Sequence, residues 1–197
     1  MKHSILGLAV AILAGGAAAQ GVQDHLRGKV VSLTADSLIV QPRHGKPQAV
    51  KLAPDWAVVV MKPVAADAIQ PGSFIGTTEI ERPDGVGHSL EVHVFPPGVK
   101  IGEGHYPWDL KPRSMMTNGT VGKVVAGSKG RMLEVAYPGG ARRILVPPGV
   151  PIVATAPGDR SLVKRGVAVF IPTAVGPGGG LTANRVLVGE GGAPPPM

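Results

Sequence analysis

The chain has 197 residues, with 20 Lys and Arg against 13 Asp and Glu, 44% hydrophobic residues and no cysteine. The missing cysteine excludes disulfides, thiolate metal sites, iron–sulfur ligation and a cysteine nucleophile, so core burial must hold the fold together. Gly and Pro make up 49 of the 197 residues without a collagen period; with valine-rich runs between them, that composition predicts short strands and many turns.

The start, Met1-Lys2-His3, precedes an apolar run over residues 5–14 and then Gly15-Gly16-Ala17-Ala18-Ala19. A charged start, a short apolar stretch and an Ala-x-Ala site predict a signal peptide over 1–19, cleaved near Ala19. The apolar run is about half the roughly 20 residues that a spanning helix needs. The expected location is therefore periplasmic or secreted, with a soluble mature protein. The formal charge of +7 favours anionic partners. Its basic residues are scattered, however: Lys111 and Arg113, like Arg142 and Arg143, are pairs and not runs.

Residues 28–33 and 37–41 are Val/Leu/Ile strands around the turn Thr34-Ala35-Asp36. His44-Gly45-Lys46 turns the chain into the alternating Ala49-Val50-Lys51-Leu52, and Val58-Val59-Val60 reads as a strand buried on both faces. Residues 65–70 predict one helical turn before Pro71-Gly72; 73–80 and 88–95 return as strands about the turn Pro83-Asp84-Gly85. The chain then repeats this order. An offset of 94 residues places Gly28-Lys29-Val30-Val31 on Gly122-Lys123-Val124-Val125, with thirteen identities over the 68 positions 28–95. The matches are mostly Gly, Pro and Val, which set turns and strand faces.

The fold class expected is all-β: two tandem small OB-like Greek-key β-barrels joined by an aromatic-containing linker. The first barrel is expected over 28–95, the linker over 96–118, the second barrel over 119–188, and a disordered tail over 189–197. In the second copy Leu133-Glu134-Val135 is shifted by about one residue, which predicts a bulge or a longer hairpin.

The Gly-x-Val start, the Ile69-Gln70-Pro71-Gly72 turn, the Asp84-Gly85 hairpin and the closing Leu90-Glu91-Val92-His93-Val94 resemble an uncharacterised bacterial exported domain family of small OB-like barrels. The linker Gly102-Glu103-Gly104-His105-Tyr106-Pro107-Trp108-Asp109, followed by Met116-Thr117-Asn118, resembles a stretch between such domains in proteobacterial exported proteins. The resemblance implies export and a β-barrel, and no settled activity.

Within the linker, Tyr106 and Trp108 are large enough to dock the two barrels together, or to line a ligand loop; the seam role is the favoured one. For metal binding, Glu91 and His93 share one face of a strand by two-residue alternation, and Glu103, His105 and Asp109 follow within the linker. Imidazole with carboxylate suits zinc or copper, though the spacing is not a recognised ligand motif, and surface histidines are the simpler account. The few aromatics and the export signal argue against nucleic acid as a partner. No Gly-x-Ser-x-Gly elbow or phosphate-loop spacing occurs, so no enzyme is expected. The expected function is a non-catalytic binding or scaffolding module of the cell envelope, meeting another envelope protein. One alternative is a periplasmic metal-binding accessory protein; another is a basic surface that holds an anionic envelope polymer.

Overall fold

A computed structural model gives the fold and describes residues 24–176 and 178–197. The expected signal peptide over 1–19 lies outside the described residues. The protein is all-β: β1 (Asp24–Leu33), β2 (Ser37–Pro42), β3 (Gln48–Pro63), β4 (Phe74–Glu81), β5 (Gly87–Val94), β6 (Gly104–Pro107), β7 (Met115–Gly127), β8 (Gly130–Tyr137), β9 (Gly140–Val146), β10 (Ile152–Gly158), β11 (Ala168–Val175) and β12 (Leu181–Gly189). Among the described residues, no helix is long and apolar enough to cross a membrane.

The strands pair into two closed circuits. In the first, β1 pairs with β2, β2 with β3, β3 with β12, β12 with β11, and β11 with β1 again. In the second, β7 pairs with β8, β8 with β9, β9 with β5, β5 with β4, and β4 with β7. Within the two circuits every neighbour is antiparallel except β3–β12 and β5–β9, which are parallel; outside them β10 also runs parallel to β5. Closure leaves no open edge within either circuit.

Each ring has its own apolar filling. Alternation along β3 sends Val58 and Val60 into the first core with Val30, Leu38, Trp56 and Ile171, all less than 8% exposed. The second core holds Ile69, Ile75, Val92, Leu133 and Ile144. A third cluster, Met61, Val153, Phe170 and Leu187, lies at the seam, with Val59, Trp108 and Met197 packed against it. Burying such side chains is the main favourable term, about 1.5–3 kcal/mol each.

The expected barrels over 28–95 and 119–188 do not close on their own strands. The first ring takes β1–β3 from one span and β11–β12 from the other; the second takes β7–β9 and β4–β5. The exchange happens where β3 runs antiparallel to β10, with Met61 opposite Thr155. Those two positions are 94 apart, so a local two-fold axis passes through their pairing. The same spacing separates the 3-10 turns Ala66–Ala68 and Arg160–Leu162, and the strands β4 and β11. After the crossing, Ile69 enters the second core while Val163 enters the first.

The continuous β3 corresponds in position to β9 and β10 together. Pro147-Pro148-Gly149 interrupts the latter pair, since proline cannot donate to a ladder. Both first hairpins carry a register shift, between Val30 and Ser32 in β1 and between Val121 and Lys123 in β7; what sets the second copy apart is a shorter turn, from Gly127 to Gly130 where the first runs from Leu33 to Ser37.

The tail expected to be disordered is docked instead. Glu190–Gly192 forms a 3-10 turn, Arg27 Nε donates to a terminal oxygen of Met197 at 2.8 Å, and the Met197 side chain packs on the seam cluster. Composition alone does not reveal such contacts.

Candidate functional site

The exchange of strands creates a groove that neither ring would have alone. Between them lies a cavity of about 340 Å3, within the range of small-molecule sites. The crossing strands form its floor, with Val59 and Met61 from β3 and Thr155 from β10; Phe170 and Leu187 stand on the first ring's side and His93 and Met116 on the second's.

The linker forms the rim. β6 pairs with β7, Tyr106 opposite Met116 and Gly104 opposite Asn118. Asn118 Nδ2 donates to the Gly102 carbonyl at 2.9 Å and to Tyr106 Oη at 2.8 Å. Tyr106 Oη already accepts, so its own hydrogen is left to donate. Further on, the Trp108 ring lies 4.0 Å from that of His25 and 6.3 Å from that of Phe170. Asp109 anchors this turn: Arg27 donates to both its oxygens at 2.8 Å, and His25 Nδ1 lies 3.1 Å from Oδ1. Burial pushes the Asp109 carboxyl up, but the bonds and charge of Arg27, aided by His25, outweigh it and leave it below the usual value. Tyr106 and Trp108 thus sit at the seam and also line the cavity.

Among the described residues, Arg185 is the one Arg, Lys, Asp or Glu side chain that lines the cavity. It lies half-buried on β12, opposite Ala57 of β3. Among the described residues its guanidinium makes no ion pair and no side-chain hydrogen bond. Burial lowers its pKa, and Tyr106 works against that; Tyr106 in turn is raised, first by burial, with Arg185 and Asn118 opposing. A cation and a hydroxyl therefore share the cavity wall.

The five residues expected to bind a metal are divided among four places. Glu91 and His93 form one buried pair, Oε2 to Nε2 at 2.5 Å, with Glu91 Oε1 also accepting from Thr78 Oγ1 and from the Thr78 backbone N–H. His105 belongs to the second ring, where its Nδ1 lies 2.8 Å from Thr117 Oγ1. Asp109 is held by Arg27 and His25, and Glu103 is exposed. Among the described residues no three His, Asp or Glu side chains are grouped to hold an ion. The expectation needed the linker beside β5. Instead β6 pairs with β7, three strand spacings from β5, or about 14 Å.

A second polar cluster closes one end of the second ring. Glu79 is fully buried and accepts from Thr117 Oγ1 at 2.9 Å and Arg142 Nε at 3.2 Å, while Arg142 Nη1 pairs with Glu81 at 2.7 Å. With the Thr117 hydroxyl donating to Glu79, Nδ1 of His105 carries the ring hydrogen. Burial raises the Glu79 carboxyl more than Thr117 and Arg142 lower it. Burial, then the Arg142 charge, lowers His105.

Sequence reasoning missed Arg185, Phe170, Met61 and Asn118 at the cavity. One signal was available: the offset of 94 places Arg185 on Glu91 and Leu187 on His93, so both closing strands carry long side chains on the outward face. Set against known protein families, curated proteins and solved structures, the chain matches none.

Proposed function

We propose that the protein is an exported, non-catalytic binding module of the cell envelope, made of two OB-like barrels that share one ligand seat at their seam. The carrying observation is the cavity of about 340 Å3, walled by Met61, Phe170, Leu187 and Trp108. What supports the OB-like reading is strand order: three consecutive strands, then a returning pair that closes in parallel against the third strand. Mostly apolar walls with a few placed polar groups suit a small molecule with an apolar body.

Trp108 is the reporter. Dodecanol and dodecanoate, titrated as probes, should change tryptophan emission saturably, because Trp108 lines the cavity while Trp56 is enclosed in the first core. Thr155→Phe, at the floor beside Met61, should abolish that change with the melting temperature preserved. Absence of saturable binding by either probe would overturn the proposal.

A further inference from the structure

We infer that the seam cavity selects amphipathic carboxylates, with Arg185 receiving the head group and the apolar walls the body; this rests on the binding role proposed above. Three observations converge on it. First, Arg185 lines a predominantly apolar cavity and has no acidic partner among the described residues. Asp109, by contrast, is paired with Arg27, and Glu91 has His93 beside it. A half-buried cation left unpaired is costly unless an anion completes it.

Second, a hydroxyl of the cavity lining, that of Tyr106, is free to assist. Asn118 donates to Tyr106 Oη, which fixes that oxygen as acceptor and frees its hydrogen. Tyr106 and Arg185 both line the cavity. A carboxylate accepting from both would have a charged and a neutral donor, a common anion geometry. One guanidinium with one hydroxyl matches a single negative charge.

Third, the seam is asymmetric although the backbone has a local two-fold. Where the second ring presents Glu91 and His93, the first presents Arg185 and Leu187 at positions 94 residues further on. The carboxylate on one side has its partners, Thr78 and His93, within its own sheet. The cation on the other side has no such partner in its own sheet. Phe170, Met61 and Leu187 extend the apolar wall beside it.

Calorimetric titration of the full-length protein with dodecanoate and with dodecanol tests this, for the wild type, Arg185→Met and Arg185→Lys. Dodecanoate should bind more tightly than dodecanol. Arg185→Met should weaken dodecanoate roughly tenfold or more, the range of a charge-assisted hydrogen bond. That variant should leave dodecanol unchanged, and Arg185→Lys should keep most of the preference. Equal binding of the two probes, with Arg185→Met indifferent to both, would overturn the carboxylate inference and leave the binding proposal standing. Failure of both probes on the wild type would overturn both.

Discussion

The two rings share a strand order but not an interior. The first is filled with aliphatic side chains and Trp56, whereas the second gives up one end to Glu79, Thr117, His105 and Arg142. The position 94 residues after Glu79 is Thr173, and that after Gly87 is Leu181. These two substitutions belong together. A Cβ at Gly87 would overlap Glu79 Oε2, so a long carboxylate requires glycine across the sheet. A short threonine leaves room for leucine. A backbone of this kind therefore tolerates either an apolar or a charged end, provided volume is exchanged between paired strands.

Separating the halves has the largest expected effect on the comparison. A break at Gly98 leaves β1–β5 on one fragment and β6–β12 on the other, so each ring has strands from both. Neither fragment alone should show sheet by circular dichroism, and an equimolar mixture should regain it. A fragment 24–98 that folds alone would mean its own β4 and β5 can complete the first ring, with the exchange imposed by the linker.

Gly87→Ala comes next. Glu79 cannot swing away freely, being held by Thr117 and Arg142, so the added methyl should cost about 1–3 kcal/mol in denaturant unfolding. In a Glu79→Thr background the same change should cost much less, a coupling between touching sites. Equal costs in both backgrounds would show that the carboxylate is not what excludes the side chain.

The smallest effect lies in pH dependence, and it too distinguishes the rings. Glu79 is raised from 4.5. Its folded form holds a proton that the unfolded chain releases, so its contribution is present at low pH and lost as pH rises through the folded value. His105 is lowered from 6.5, and its contribution is lost as pH falls below that value. Glu79→Gln should therefore gain stability relative to wild type as pH rises above 4.5, measured by melting temperature. A difference that stays constant with pH would show that Glu79 titrates normally.

The turns and strand faces were legible from sequence because they depend on local chemistry. Gly45, Gly72 and Gly85 all adopt positive φ in turns, a conformation glycine reaches without steric penalty. Alternation predicted the shared face of Glu91 and His93, and these two do meet. The tie of Asp109 to Arg27, 82 positions away, left no such trace. The residues of the expected metal set lie apart for the same reason, because pairing of β6 with β7 depends on distant strands.

By itself, then, the sequence determined an all-β chain in which one strand order occurs twice at a spacing of 94 residues. Only the tertiary structure decided which strands complete which ring. Two copies with the same turns and the same inward-facing pattern satisfy either pairing equally well at the level of pattern. The choice rests on where the chain goes after β3 and β10, with Ile69 in one core and Val163 in the other. The cavity with Arg185 on its wall follows from that crossing, since the surfaces enclosing it come from residues far apart in the chain.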